Sequence, residues 1–171
     1  TPVRELLHMR WEAADVVVPP VPDGWTVRTF TPDDAAAWVA LNAEVFADHP
    51  EQGRITEADL AARRAEPWFR PELFWLVEDA QGTLAGYCWV KPGETNDELY
   101  VIGLAPAARG TGLAAHLVAR AQNAARNRGA ESLGLYADAV NLSAVRSYEK
   151  AGFEIDAVDP HAYQMPKFGA G

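Results

Sequence analysis

At 171 residues, with 49% apolar and 23% charged side chains, the chain is long enough for one well-buried domain and too short for two of ordinary size. Fifteen basic against twenty-four acidic residues give a net charge of −9, which argues against nonspecific binding to nucleic acid or to an anionic membrane. The longest apolar runs, such as Ala13 to Pro22 with its interrupting Asp15, fall short of the roughly 20 residues of a membrane span, no signal peptide or anchor is visible, and the lone Cys88 leaves no internal disulfide, so a cytoplasmic location is expected.

In chain order, Glu5 to Trp11 reads as a short strand and Val16 to Gly24, with its prolines, as an extended linker. The compact domain is expected to begin near Trp25, giving residues 1–24 as strand and linker and 25–171 as the domain. Trp25 to Phe30 alternates as a strand. Thr31, Pro32, Asp33 and Asp34 then supply a cap, a first-turn proline and favourable charge for a helix running to about Ala47. Thr56-Glu57-Ala58-Asp59 resembles a capping box and opens a second helix that ends before Pro67. Leu73 to Glu78 and Leu84 to Lys91 read as strands joined by the turn Asp79-Ala80-Gln81-Gly82.

A further strand is expected from about Glu98 to Leu104, then a long helix from Gly112 to about Arg128 with Leu113, Leu117, Val118, Ala121 and Ala125 on one face. Ser132 to Ala137 reads as a strand, Asn141 caps a helix that stops at Gly152, Phe153 opens the next strand, and a last one covers about Ala162 to Lys167. This order predicts a three-layer α/β (α+β) domain: a mixed central sheet of about six or seven strands flanked by about four helices, with the strand order left open.

Two features single out the segment after Leu104. Between Glu98 and Glu131 there is no acidic residue, while Arg109, Arg120, Arg126 and Arg128 fall inside that window; a helix whose acidic partners lie elsewhere in the fold would explain this equally well. Within it, Arg109-Gly110-Thr111-Gly112-Leu113-Ala114 joins a strand to a long helix. Two glycines there let the backbone turn tightly and aim successive N–H groups at a phosphate on the helix N-terminus, with arginine as a further donor. A Walker loop would need Gly-Lys-Ser/Thr, which is absent, and a dinucleotide fingerprint would need a third glycine. A plain structural turn remains the alternative.

This segment resembles the pyrophosphate-binding motif of GNAT acetyltransferases, Arg/Gln-x-x-Gly-x-Gly/Ala, and Asn141 to Phe153 resembles that family's second motif in the right order and separation. The resemblance covers about Trp25 to Lys167. Within it, His49-Pro50-Glu51-Gln52-Gly53, Trp68-Phe69, Leu99 to Pro106 and Asn141 to Phe153 are similar to the C-terminal catalytic half of the mycothiol synthase family, whose members have two tandem GNAT halves and acetylate a cysteinyl amine on a glucosaminyl-inositol scaffold. Leu7-His8-Met9-Arg10 resembles Tyr163-Gln164-Met165-Pro166, as if it closed a preceding domain.

The resemblance implies acetyl-coenzyme A as cosubstrate and no metal. It implies cofactor contacts at Ile102, Gly103, Leu104, Arg109, Gly110, Thr111, Gly112, Leu113, Ala114, Asn141 and Arg146, and substrate contacts at Glu51, Lys91, Glu98 and Tyr136. Glu98 is the expected general base, acting through a water, and Tyr148 the expected acid for the leaving thiolate, given ordinary values near ~8.5 for a thiol and ~10 for a phenol. Each also has a plain reading as a surface or core residue. The four histidines show no metal-ligand spacing. A small polar amine is the expected partner, with a preceding GNAT domain or a homodimer partner as the macromolecular candidates and neither nucleic acid nor membrane. The alternatives are an acetyltransferase for another small amine, antibiotic or peptide, and a GNAT module that holds acyl-coenzyme A without turnover.

Overall fold

The computed structural model describes residues 5–159, with Pro50 and Glu51 as backbone only. The strand expected over Ala162 to Lys167 lies outside the described residues. Among the described residues seven strands form one mixed sheet: β1 (Leu6–Glu12), β2 (Thr26–Thr29), β3 (Phe74–Glu78), β4 (Leu84–Lys91), β5 (Asn96–Leu104), β6 (Ser132–Asp138) and β7 (Glu154–Asp159), in the spatial order β2-β3-β4-β5-β6-β1-β7. Four helices of eight or more residues flank it: α1 (Ala35–Val45), α3 (Glu57–Arg64), α4 (Leu113–Asn127) and α5 (Leu142–Lys150), with a short α2 (Pro50–Gly53) between the first two. The stop at Val45 and the turn at 50–53 differ from the continuous helix expected to Ala47, with Phe46 as the C-cap.

The strand expected to lie ahead of the domain is interior to the sheet. β1 pairs antiparallel with β6 on one side, from Leu6↔Asp138 to Glu12↔Ser132, and with β7 on the other. Its alternation explains why: Leu7, Met9 and Trp11 are buried on one face and Leu6, His8 and Arg10 half-buried on the other. No break in the sheet falls at Trp25. Instead the proline-bearing linker returns along α4, from the Asp15–Arg126 ion pair through Pro19, whose carbonyl is 2.6 Å from His116 Nδ1, to Pro22 beside Gly112.

Two apolar clusters sit on opposite faces. Leu113, Leu117, Ala121 and Ala125 of α4, with Val145 of α5, cover Leu7, Met9, Leu133, Leu135, Cys88 and Val90. Trp38 and Leu41 of α1 and Leu60 of α3 cover Phe74, Leu76, Tyr87 and Trp89. Trp89 stacks on Phe74 at 4.4 Å and meets Trp38 edge-on. The second cluster draws only on β3, β4 and β5 among the strands. On the same face of β6, β1 and β7 most side chains are polar (Tyr136, His8, Arg10, Glu154 and Asp159), with Leu6 and Ala157 among them.

At the β2 edge, Arg28 joins Asp34 through two guanidinium hydrogen bonds of 2.8 and 2.7 Å and Glu78 through one of 2.7 Å. The Asp34 carboxylate also accepts the Thr31 N–H at 2.7 Å. Arg28 first, then Thr31, hold the Asp34 carboxyl at about 2, below its ordinary 3.8, against the opposing effect of burial. A depressed carboxyl contributes stability that is complete above its unfolded value and is lost as the pH falls through the folded one. Asp34→Asn should therefore destabilise the fold by about 1–2 kcal/mol at pH 7, with the difference from wild type shrinking between about pH 4 and pH 2. Urea unfolding of both proteins at neutral and acidic pH measures it, and a pH-independent difference would remove the ionised pair as its cause.

Candidate active site

β5 and β6 run parallel for only three pairs, Asn96↔Ser132, Asp97↔Leu133 and Glu98↔Gly134, and then part. β5 carries on to Leu104 against β4, and β6 to Asp138 against β1. The β4–β5 register slips between Trp89 and Val90, which leaves Tyr100 as an extra residue on β5. Such a bulge bends its strand, and here it lies two residues beyond the last β5–β6 pair. A cleft of about 940 Å³ fills the fork, with Leu99 to Leu104 on one wall and Leu135 to Asp138 on the other. Past the fork each strand has one edge without a strand partner among the described residues, so its N–H and C=O groups on that side can meet an extended, amide-bearing ligand.

On the α4 side the cleft meets the glycine turn. Gly110 and Gly112 have φ of +73° and +94°, a region that only glycine enters cheaply. A Cβ at Gly110 would have nothing within 4 Å among the described residues, so there the turn is open to an approaching group. α4 starts at Leu113 with no acidic residue in its first turn, leaving its N-terminal N–H groups to favour an anion. Arg109 is exposed at the rim and donates from Nε to Leu104 O at 3.3 Å.

The charge window resolves differently. Arg120 donates to His116, Arg126 pairs with Asp15 and Arg128 with the buried Asp97. Of the four arginines only Arg109 lines the cleft.

Ile102, Gly103, Leu104, Arg109, Gly110, Ala114 and Asn141 all border the cleft, as do Lys91, Glu98, Tyr136 and Tyr148. Others of the expected set are placed differently. Leu113 points its side chain into the core, while its N–H donates to Thr111 Oγ1 at 3.3 Å. Thr111 Oγ1 in turn donates to Ala108 O at 2.6 Å, so this residue shapes the turn from within. Gly112 caps the helix behind the rim, and Arg146 lies on the exposed side of α5. Glu51 falls on α2, and only its backbone is described. Asn141 accepts the Ala144 N–H as helix cap, which already occupies its carbonyl oxygen.

The other end of the cleft holds groups that the sequence reading did not assign: Phe46, His49, Gln52 and Arg63. Their placement follows from a buried polar chain. Tyr87 Oη donates to Asn42 Oδ1 at 2.7 Å, Asn42 Nδ2 donates to Gln52 O at 2.6 Å, and the Gln52 N–H donates to His49 Nδ1 at 3.2 Å. Asn42 and Gln52, ten residues apart, are both buried, and each needs a partner there. Nearby, Lys91 Nζ lies 4.9 Å from the Trp68 ring and 5.7 Å from that of Tyr100, a cation–π seat that fixes the ammonium beside Glu98, its partner across the β4–β5 ladder.

Tyr148 rises from α5 into the cleft, with its ring 6.0 Å from Phe153. Burial pushes its phenol well above the ordinary range, with Cys88 adding to the effect. Burial also raises Tyr136, helped by the charges of Glu98, Asp156 and Asp159. Cys88 itself is buried against α4 and pushed up to about 12 by desolvation, the property of an inert core thiol.

Residues 37–153 match the acetyltransferase (GNAT) family. Among curated proteins, the mycothiol acetyltransferase of Kineococcus radiotolerans is 48% identical over 171 residues, covering 98% of this chain and 56% of that protein. That of Clavibacter michiganensis subsp. michiganensis is 44% identical over 160 residues, covering 91% and 52%. The chain thus spans about half the length of the curated relatives it matches. Among solved structures, a GCN5-related N-acetyltransferase from Sphaerobacter thermophilus superposes with a TM-score of 0.79 at 25% identity, over 92% of this chain and 50% of that one.

The open glycine turn generates a direct expectation. Acetyl-coenzyme A should bind with micromolar affinity, and Gly112→Val, which sets a branched side chain at a φ of +94°, should abolish that binding. Calorimetry on the variant, with its fold checked by circular dichroism, decides; unchanged affinity in a folded Gly112→Val protein would take the turn out of the site.

Proposed function

Because the chain belongs to the GNAT acetyltransferase family, we propose that it is an acetyl-coenzyme A-dependent N-acetyltransferase acting on a small polar amine, of the kind found in a cysteinyl group on glucosaminyl-inositol. One observation carries this reading: the fork between β5 and β6 joins an anion-seeking helix terminus on one face of the sheet to Glu98, Lys91 and Tyr136 on the other. Donor and acceptor would enter from opposite faces and meet in the gap. Names borne by relatives at 44–48% identity support the acceptor class. Those relatives have about as much protein again. For this chain we propose a preceding domain of the same fold, or a second copy, as the source of further acceptor contacts. The reaction is placed in the cytoplasm.

The chemistry assigned to each group follows from its surroundings. An amine attacks a thioester only when neutral, and Glu98, half-buried at the fork, is the carboxylate placed to accept its proton through a water. N–H groups of β5 past the fork would hold the donor's carbonyl as negative charge develops on it. The diphosphate would rest on Gly110 and the start of α4, with Arg109 as an added donor.

The role expected for Tyr148 is modified by its burial. A phenol raised above its ordinary ~10 cannot readily surrender a proton to a thiolate near ~8.5. It stays protonated at every working pH and stabilises the leaving sulfur as a hydrogen-bond donor. Glu98 and Tyr148 together favour turnover over a silent acyl-coenzyme A module.

Two measurements test this. Thiol release from acetyl-coenzyme A should fall about a hundredfold in Glu98→Gln, with the acidic limb of the pH profile flattened. Tyr148→Phe should lower kcat by about tenfold or more, as for the loss of one preorganised donor, without altering the profile up to about pH 10. Donor affinity should persist in both, and wild-type rates in either variant would withdraw that residue's role.

In competition, a cysteinyl-glucosamine-inositol or a similar α-amine should be acetylated faster than a lysine peptide, since an α-amine near ~8 gives up its proton more readily than lysine near ~10.4. Preference for the peptide would refute the acceptor class while leaving the family assignment intact.

A further inference from the structure

The polar sheet face beside the fork carries a histidine–carboxylate pair outside the groups assigned above. His8 on β1 points its Nδ1 at Asp156 Oδ1 of β7, 2.5 Å away. Asp156 reaches it because the β1–β7 register slips between His8 and Met9, which makes Asp156 the extra residue of a bulge. An ionised carboxylate can only accept, so Nδ1 carries the hydrogen, and in the neutral ring Nε2 is left with its lone pair.

That basic nitrogen has a defined direction. A Cβ built on Gly134 would lie 2.8 Å from His8 Nε2, so the ring lies directly over this glycine and occupies the space of its missing side chain. Gly134 is the residue paired with Glu98 at the last rung before the fork. Paired residues on neighbouring strands project to the same face, so Glu98 extends on the side of the sheet where the imidazole lies. Tyr136, directly opposite His8 and 4.9 Å from it ring to ring, feels the charges of both Glu98 and Asp156.

We infer that His8, held by Asp156, is the onward acceptor for the proton that Glu98 takes from the amine. The inference rests on the acetyltransferase reading. In each turnover two N–H bonds of the acceptor's ammonium break: the first proton passes through water to the Glu98 carboxylate, and the second, lost from nitrogen as the C–S bond breaks, goes to the leaving thiolate, which departs as the thiol. The first proton passes from Glu98 to His8 Nε2, and from the imidazolium to solvent. No electron changes hands. Asp156 stabilises the transient imidazolium and fixes the ring. The side chains of His8 and Asp156 are 28% and 41% exposed, enough for the last transfer to reach bulk water.

An imidazole is a stronger base than a carboxylate, so it can clear Glu98 for the next cycle. The charged or titratable groups facing His8 among the described residues are Asp156, Glu154 and Asp159 from β7, Tyr136 and Asp138 from β6, Glu98 from β5, and Arg10 of its own strand.

The test measures thiol release by the full chain with acetyl-coenzyme A and an α-amine. His8→Ala should lower kcat about tenfold or more with donor affinity unchanged, and free imidazole should restore the rate in proportion to its unprotonated form. Asp156→Asn, which keeps the ring but not its charged support, should fall by a smaller factor and gain nothing from imidazole. An unchanged kcat in His8→Ala, or a loss that imidazole does not repair in a variant of wild-type melting temperature, would overturn the inference and leave the acetyltransferase reading standing. Absence of thiol release by the wild-type chain would overturn both.

Discussion

The parting of β5 from β6 after a single short stretch of pairing is the constraint on which the site depends. A parallel sheet normally satisfies both edges of an interior strand. Here β5 gives up one edge at Glu98, and the bulge at Tyr100 bends it away so that the gap cannot close by continued pairing. Open backbone groups in a largely apolar cleft are costly unless something bonds to them. The fold therefore maintains a slot suited to a ligand with amides of its own, with the start of α4 at one end and Glu98 at the other.

What keeps the slot open is the packing behind it. On the α4 side, Leu113, Leu117 and Ala121 anchor the helix to β4 and β6, and the linker adds a strap tied by Pro19 to His116 and by Asp15 to Arg126. On the other side, the chain from Tyr87 through Asn42 to Gln52 pins α2 against α1, which brings His49 and Phe46 to the rim. Gly103 is squeezed between these layers. A Cβ there would come within 2.9 Å of both the Tyr87 ring and Val45, so β5 can approach the aromatic layer only with glycine at this position.

Much of this was legible in the residues. Glycines that require positive φ, an asparagine cap and a 3.6-residue stripe on α4 are local signals, and each was recovered where expected. The families suggested by the motifs at 109–114 and 141–153 agree with the matches found. The failures were non-local. Nothing within Glu5 to Trp11 says that this strand inserts between β6 and β7, because its partners are specified by complementary faces far along the chain. The arginine window allowed either a positive patch or a helix with acidic partners elsewhere, and only the folded chain decides: Arg126 and Arg128 turn to Asp15 and Asp97, Arg120 to His116, and Arg109 alone to the cleft. The raised phenol of Tyr148 was equally invisible, since burial depends on what folds over it.

β1 is made well before the strands it pairs with and can be placed only after them. Its neighbours β6 and β7 lie more than a hundred residues downstream, and pairings of such separation form slowly because the loop must be closed before any contact rewards it. Until they exist, Leu7, Met9 and Trp11 have no sheet to cover. The turn at Gly110 to Gly112, the proposed donor site, joins β5 to α4, whereas His8 reaches Gly134 and Asp156 only when β7 has emerged. The two ends of the cleft thus mature at different moments of synthesis, and a nascent chain would form the proposed donor turn before the proposed acceptor surface.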